Sequence, residues 1–297
     1  MSAKRIIVGL GELLWDLLPG GRQLGGAPAN FAYFTNLLGD RGIVASRVGE
    51  DELGREAAAK VRQLGSSADY LQYDPAHGTG TAQVVVDSAG QPKFEIVQPV
   101  AWDFLQWTPA WRQLAERADA VCFGSLAQRS PASRETIQQF LRSTRPQALR
   151  VFDVNLRAPF YSAEVLAASL PLAHVIKLNH DELPLVAQLL GIPFSGERAA
   201  AEALLRRHGA RLVCVTRGGC GSLLLGEQGA DEHPGFRVSV ADTVGAGDAF
   251  TAALVHYYLL AASLAKMNES ANRVGAWVAS QVGATPIPPG GKFASGP

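Results

Sequence analysis

The sequence predicts an α/β protein in which a mostly parallel central sheet lies between two layers of helices, with a small β-sheet attached. Short apolar runs alternate with helical segments along most of the chain, and this alternation is typical of parallel sheets with helices on both faces. Residues 79–100 break the alternation with two strand-like runs around a Ser-Ala-Gly turn at residues 88–90. That stretch predicts an inserted β-hairpin.

The composition is that of a protein with a large core. Apolar residues make up 47% of the 297 positions and charged residues 18%. The 27 basic and 27 acidic residues cancel, which argues against a nucleic-acid surface and against a polybasic membrane patch. The apolar run at residues 249–265 contains Thr251 and His256 and falls short of the roughly 20 residues that a bilayer core requires. It therefore predicts a buried helix.

The cysteines and the N-terminus predict a cytoplasmic protein. Cys122, Cys214 and Cys220 are odd in number and have no metal-like spacing, so we expect free thiols in a reducing compartment and no disulfide framework. The apolar run at residues 6–8 is too short for a signal-peptide core.

The first third of the chain has clear strand and helix signals. Residues 5–10 and 43–48 are expected to be strands, and residues 31–38 and 53–64 helices, with Pro28 suited to a first helical turn. The alternating stretch at residues 12–19 carries Asp16. This acid can hold substrate hydroxyls or lie solvated in a loop.

From residue 119 the alternation is regular. Strands are expected at residues 120–123, 150–154, 175–178 and 212–215, and helices begin near Pro131 and Glu182 and cover residues 249–265 and 266–282. Ligands gather at the C-terminal ends of the strands in such sheets. The polar residues that follow these strands are therefore candidate site residues: Ser125, Asn155, Arg157, Asn179 and Thr216.

Residues 242–248, Asp-Thr-Val-Gly-Ala-Gly-Asp, are the leading candidate for chemistry. Gly245 and Gly247 leave backbone N–H groups accessible at a helix start, where the unpaired N–H groups and the helix dipole favour an anion. Asp248 in the same turn would repel a permanently bound phosphate. In one interpretation, Asp248 takes a proton from an alcohol while the N–H groups of residues 245–247 hold a phosphoryl group during its transfer. A glycine turn whose acid only complements the helix dipole stays open as the alternative.

Two further loops have features of ligand sites. Asn179 and Glu182 place an amide and a carboxylate at a helix start, where they can steady Mg²⁺ or simply cap the helix. The turn at residues 216–221 can hold nucleotide phosphates through backbone N–H groups. No GxxxxGK[ST] sequence occurs, and Leu14 stands where the dinucleotide fingerprint that begins at Gly9 needs its third glycine. A P-loop is therefore excluded and a Rossmann cofactor site is not expected.

These motifs, taken in chain order, resemble the ribokinase and fructokinase (PfkB-type) family of carbohydrate kinases from residue 6 to about residue 288. The closing signature lies at residues 242–250, and the opening signature lies at residues 25–32 with residues 48–54 behind it. The forms of residues 11–19, 25–30, 153–157 and 178–182 are similar to the fructokinase and 2-keto-3-deoxygluconate kinase branch.

The resemblance implies a three-layer α/β/α ribokinase-like sandwich, one domain over residues 1–290 with lid segments at about 12–24 and 79–100 and a disordered tail at 291–297. It implies a kinase that transfers the γ-phosphoryl group of ATP to a primary hydroxyl of a monosaccharide, with fructose as the leading acceptor. 2-Keto-3-deoxygluconate, ribose and nucleosides stay open as acceptors, and a non-catalytic sugar- or nucleotide-binding regulator is the alternative from another class. A second copy of the chain, paired through an exposed lid edge, is a candidate partner.

The resemblance also assigns roles by matching position. Asp248 is the expected base, and the N–H groups of Gly245, Ala246 and Gly247 are the expected anion hole. Expected sugar-binding residues are Asp16, Gly25, Gly26, Asn30, Trp102 and Arg157. Expected ATP-binding residues are Asn179, Thr216, Gly218, Gly221, Gly245, Gly247 and Asn272. Glu182 is expected to act on Mg²⁺ through water, and Asp242 with the carbonyl of Val244 is the candidate site of a potassium ion.

Overall fold

A computed structural model describes residues 4–18, 20–86, 92–227, 229–291 and 293. The strands are β1 (Ile6–Leu10), β2 (Leu14–Leu18), β3 (Gly21–Gly25), β4 (Arg41–Gly49), β5 (Leu71–Asp74), β6 (Gly80–Val86), β7 (Pro92–Ile96), β8 (Ala120–Phe123), β9 (Leu149–Asp153), β10 (Val175–Asn179), β11 (Leu212–Thr216), β12 (Ser222–Gly226) and β13 (Gly229–His233). The α-helices are α1 (Ala27–Leu37), α2 (Glu52–Gln63), α3 (Pro109–Arg117), α4 (Pro131–Arg142), α5 (Ala163–Ser169), α6 (Glu182–Leu189), α7 (Glu197–His208), α8 (Ala246–Leu259) and α9 (Leu264–Ala279).

The central sheet contains nine strands of the described part of the chain, in the order β13-β12-β11-β10-β9-β8-β1-β4-β5. The pairs from β11 to β5 are parallel, as the alternation of strands and helices predicts. Strands β12 and β13 extend the sheet as an antiparallel edge. The sequence did not indicate this edge, because the strand at Gly229–His233 is polar and half exposed and carries no apolar signal.

The period-two pattern of the strands builds a separate core on each face of the central sheet. Val8 and Leu10 point toward α3 to α7, whereas Ile7 points toward α1, α8 and α9. Cys122 and Cys214 lie buried as free thiols in the core beneath α8, and Cys220 is an exposed free thiol. The three-layer α/β/α prediction is confirmed.

A second, smaller sheet joins the two segments that the sequence assigned to the lid. Its four strands in the described part run in the order β3-β2-β6-β7, and β2 pairs with β6 in parallel while the two outer pairs are antiparallel. The predicted hairpin is confirmed as β6 and β7, while its turn at residues 88–90 lies outside the described residues. Strands β3 and β7 are the edges of this sheet.

The helix that carries the closing signature begins earlier than its apolar run. Helix α8 starts at Ala246, so Asp248 is its third residue, and it ends at Leu259. In the described ranges, no helix is both long and apolar enough to span a bilayer.

The predicted tail at residues 291–297 falls largely outside the described residues. Phe293, which is described, packs its ring edge-on against Trp277 at 5.0 Å.

Candidate active site

A cavity of about 740 Å³ opens at the C-terminal ends of the parallel strands and extends to the small sheet. Loops that follow strands from distant parts of the sequence line it, together with the first turns of α1 and α8. Most of the predicted site residues line this cavity: Asp16, Gly25, Gly26, Asn30, Arg157, Asn179, Thr216, Gly218, Gly221, Asp242, Val244, Gly245, Ala246, Gly247, Asp248 and Asn272. Two predicted site residues, Trp102 and Glu182, are not among the residues that line it.

The carboxylate of Asp248 meets the side chain of Asn30 in this cavity. Asn30 Nδ2 donates a hydrogen bond of 2.8 Å to Asp248 Oδ2, which joins the first turns of α1 and α8. Burial, with a further contribution from the charge of Asp153, raises the pKa of Asp248 to about 6, although the hydrogen bond from Asn30 opposes the shift. A carboxylate with such a pKa is ionised at neutral pH and is still basic enough to take a proton from a hydroxyl group.

The start of α8 has the form of an anion site. Gly245 adopts φ +79°, and a Cβ atom there would overlap the carbonyl of Ala284, so this helix start requires glycine. The N–H of Ala246 donates to the carbonyl of Thr243 at 3.3 Å. Within the described residues the N–H groups of Gly245 and Gly247 have no such acceptor, and they are the better donors for an incoming anion.

The other end of the cavity is lined by Asp16, Gly25 and Arg157. A Cβ atom on Gly25 would overlap the Asp16 carboxylate, so a side chain at position 25 would displace that carboxylate. Burial raises the pKa of Asp16, and the charge of Arg157 opposes that shift. Arg157 is exposed, and its Nη1 donates to the carbonyl of Leu156 at 3.1 Å. This end therefore offers hydrogen-bond acceptors and a guanidinium group to a polar ligand.

Glu12 is a cavity residue to which the sequence assigned no role. It is only 3% exposed, it lines the cavity, and its Oε2 has no hydrogen-bond partner within the described residues. Burial, with a smaller effect of Asp248, raises its pKa to about 7, while backbone hydrogen bonds from Glu12 itself and from Ala27 oppose the shift. The available signal was an acid two residues after a largely buried strand.

Asn179 caps the start of α6, and Glu182 links two segments of the backbone. Asn179 Oδ1 accepts hydrogen bonds from the N–H groups of Asp181 and Glu182, at 2.9 and 2.8 Å. The two oxygens of Glu182 accept from the N–H groups of Leu156 and Asn179, at 2.7 and 2.8 Å. Glu182 therefore links the loop after β9 to the end of β10, and both oxygens of its carboxylate accept from backbone N–H groups.

No cluster of three or more His, Cys, Asp or Glu side chains in the described ranges has the geometry to hold a metal ion. Mg²⁺ is commonly bound through one or two carboxylates together with substrate phosphates and retained waters, so it does not require such a cluster. The expectation that Glu182 acts on Mg²⁺ through water stays a prediction.

The loop after β11 forms the far wall of the cavity. Gly221 adopts φ +82°, and a Cβ atom there would overlap the carbonyl of His233. Arg217 fixes this loop through ion pairs with Glu197 and Glu232. Asn272 borders the same region, but its Nδ2 already donates to Ser222 Oγ at 2.7 Å and to Asn268.

The candidate cation site at Asp242 is a backbone turn. Asp242 Oδ1 accepts from the N–H of Val244 at 3.0 Å, and Oδ2 accepts from the N–H of Gly283 at 3.1 Å. The carboxylate thus joins the turn before α8 to the segment after α9. A role of this turn in binding potassium stays a prediction.

The structure corrects the expectation that Trp102 contacts the sugar. Trp102 is fully buried, and the guanidinium of Arg129 stacks on its ring at 3.9 Å. Arg129 is itself held by Asp103, with two contacts of 2.8 Å. The tryptophan therefore packs at the junction between the small sheet and the main body.

Comparisons with known proteins place this architecture in a defined group. A family model described as pfkB family carbohydrate kinase matches residues 20–289. The fructokinase of Klebsiella pneumoniae is 33% identical over 262 residues, which cover 83% of this chain and 82% of that protein. The chain is thus a phosphotransferase that acts on an alcohol group of a carbohydrate. It belongs to the pfkB family of carbohydrate kinases.

Solved structures agree with this assignment. The fructokinase of Vibrio cholerae O395, in a form with fructose, ADP and calcium ion bound, has a TM-score of 0.81 and 26% identity, and the match covers 96% of each chain. A sugar kinase of Pyrococcus horikoshii in complex with ATP has a TM-score of 0.79 and 28% identity, with 94% of each chain covered.

Proposed function

We propose that this sugar kinase transfers the γ-phosphoryl group of ATP to a primary hydroxyl of fructose. The observation that carries the proposal is the position of Asp248: a buried carboxylate with a raised pKa, held by Asn30, in the first turn of a helix whose starting residues line the cavity. The fructokinase relatives and the fructose-bound neighbour support fructose as the acceptor.

In the proposed mechanism, each cavity residue has a role that follows from its position. Asp16, Gly26 and Asn30 orient the sugar so that its primary hydroxyl faces Asp248. Asp248 takes the hydroxyl proton as the oxygen attacks the γ-phosphorus and the bond to the ADP oxygen breaks. The N–H groups of Gly245 and Gly247 stabilise the charge on the transferred group. Mg²⁺ bound with the ATP phosphates would neutralise part of their charge, and Glu182 would act on it through water.

The small sheet is proposed to act as a lid over this reaction. It borders the cavity through Asp16, Ala82 and Ile96, and closure over the sugar would exclude the water that competes with the hydroxyl. Its exposed edges, β3 and β7, are the proposed surfaces for pairing with a second copy of the chain.

A sugar acid is the second candidate acceptor. The exposed guanidinium of Arg157 lines the cavity near Asp16, and its hydrogen-bond partner within the described residues is the carbonyl of its neighbour Leu156. A free guanidinium in a sugar site suits a carboxylate, as in 2-keto-3-deoxygluconate.

A coupled assay of ADP formation tests the proposal. Fructose, 2-keto-3-deoxygluconate, ribose, tagatose and nucleosides are compared at matched concentrations with ATP and Mg²⁺. We expect the highest kcat/KM with fructose, whereas preference for the sugar acid would transfer the assignment to the second candidate. Absence of ADP formation across the whole panel would favour the non-catalytic regulator.

A further inference from the structure

Lys177 is a buried lysine at the wall of the proposed active site. It lies on β10 directly opposite Asp153 of β9 in the sheet register, and its Nζ is 3.0 and 3.1 Å from the two Asp153 carboxylate oxygens. The residue is only 7% exposed, yet it lines the cavity. Because the desolvation cost of a buried ion pair often cancels its attraction, stability alone is a weak explanation for this pair.

Thr251 connects the Lys177–Asp153 pair to the first turn of α8 through hydrogen bonds. The Thr251 hydroxyl lies 3.0 Å from Asp153 Oδ2 and 2.9 Å from the carbonyl oxygen of Gly247, so its proton is shared between them. A Cβ atom on Gly247 would lie 3.4 Å from Lys177 Nζ. The ammonium group therefore lies beside Gly247, in the turn whose N–H groups form the anion site.

The Lys177 ammonium group keeps its positive charge, and one of its N–H groups has no acceptor within the described residues. Burial lowers its pKa, but the charges of Asp153 and Glu182 more than compensate, and the net pKa is raised. Two N–H bonds of the ammonium group account for the two contacts with Asp153. The described residues supply no acceptor for the third N–H, and an unpartnered buried donor at a cavity wall points to a ligand.

We propose that Lys177 is a further catalytic residue, whose ammonium group contacts the phosphoryl group in transfer from beneath the anion hole. Asp153 and Thr251 are its positioning residues. This inference rests on the proposed function, because it needs a phosphoryl group at the start of α8. Lys177 neither gains nor loses a proton in the step.

Turnover of two variants tests the inference. Lys177→Met should lower kcat about 10²-fold, the size of effect seen when one donor of such a site is removed, with the KM for the sugar within threefold of the wild type. Because this variant leaves Asp153 buried and unpaired, we pair it with the double variant Lys177→Met/Asp153→Asn, which removes both charges. The double variant should fold and stay equally slow.

Nucleotide binding supplies a test that needs no acceptor sugar. Calorimetry should show that Lys177→Met weakens ATP binding about tenfold while ADP binding stays within twofold, because only ATP places a phosphoryl group over Lys177. If the wild type forms no ADP with any sugar but this ATP-to-ADP difference is present, the proposed function fails and the Lys177 contact stands. Equal effects on ATP and ADP would overturn the inference.

The pH dependence of kcat/KM separates a charge effect from a folding effect. Lys177 lowers the pKa of Asp248 and Asp153 raises it. The acid limb should therefore move to higher pH in Lys177→Met and back to lower pH in the double variant. The groups that face Asp248 are Glu12 after β1, Asn30 on α1, Asp153 on β9, Arg157 after β9 and Lys177 on β10. An acid limb that stays in place in both variants would count against the inference.

One further substitution controls for a loss of stability, and two substitutions at Thr251 test the role of its hydroxyl group. Arg5→Met breaks an ion pair with Asp40, whose Oδ1 is 2.7 Å from Arg5 Nε at the opposite end of the sheet, and should lower Tm with kcat unchanged. Thr251→Val should lower kcat, and Thr251→Ser, which keeps the hydroxyl, should restore it. A folded double variant with kcat within twofold of the wild type would overturn the assignment of Lys177.

Discussion

Helices α1 and α8 both begin after a glycine, but different chemical groups lie against their first N–H groups. Each is preceded by a glycine with positive φ, Gly26 at +106° and Gly245 at +79°, and neither has a side-chain cap. A Cβ atom on either glycine would overlap a backbone carbonyl, that of Glu12 or that of Ala284. Both helix starts are therefore limited to glycine for a steric reason.

The two helix starts differ in whether a carboxyl group of the protein lies against their N–H groups. At α1, Pro28 removes one N–H group, and a hydrogen bond between Glu12 and the backbone of Ala27 lowers the pKa of Glu12. At α8, Gly245 and Gly247 line the cavity, and their N–H groups have no acceptor within the described residues. The protein thus supplies its own carboxyl group at α1 and leaves α8 available to an external anion. A glycine helix start marks an anion site only when the chain's own acids leave its N–H groups without an acceptor, as Asp248 does by accepting a hydrogen bond from Asn30.

The largest effect is expected from Asp248→Asn. Removal of the base should lower kcat by roughly 10² to 10⁴-fold and leave the sugar affinity within a few fold, because the amide keeps the shape of the side chain. In the wild type, kcat/KM should fall as the pH drops below about 6, where Asp248 becomes protonated. Steady-state kinetics with Asp69→Asn, an exposed acid outside the cavity, provides the control. Unimpaired turnover would remove Asp248 from the mechanism.

The two glycines test the comparison directly. Gly245→Ala should lower kcat about 10²-fold, because it displaces the N–H groups that hold the phosphoryl group. Gly26→Ala should mainly raise the KM for the sugar, because it displaces the junction between Gly25 at the end of β3 and the first turn of α1, which carries Asn30. Gly209→Ala is the matched control, since Gly209 has φ +63° and open space around it and should lose stability alone. If Gly26→Ala lowers kcat with an unchanged KM, the two helix starts do not have separate roles.

Glu12→Gln tests the acid at the start of α1. The folded-state pKa of Glu12 is raised from 4.5 to about 7, so the wild type loses stability as the pH rises through this window and the glutamine variant does not. We expect the variant to gain up to roughly 3 kcal/mol over the wild type between pH 4.5 and pH 8. Urea unfolding at several pH values measures the difference. A pH-independent difference would show that Glu12 ionises normally.

The sequence predicted the central architecture because that architecture follows from local patterns. Apolar runs of four to six residues identified the parallel strands, and glycine and proline positions identified the starts of α1 and α8. The polar edge strand β13 was missed because its residues are exposed or only half buried, so its sequence shows no apolar period. Lys177 was overlooked because its partner Asp153 is distant in sequence, and only the sheet register brings the two together.

Trp102 gives the smallest expected kinetic effect and tests the corrected part of the site. The ring is fully buried against Arg129 and does not line the cavity, so Trp102→Phe should change the KM for the sugar by less than twofold. The smaller ring leaves a void and loses part of the cation–π contact, which should cost about 1–3 kcal/mol of unfolding free energy. Urea unfolding and sugar kinetics on the same preparation measure both quantities. A large rise in KM at unchanged stability would return Trp102 to the sugar site and would mean that the small sheet moves far enough in the bound state to bring the ring to the ligand.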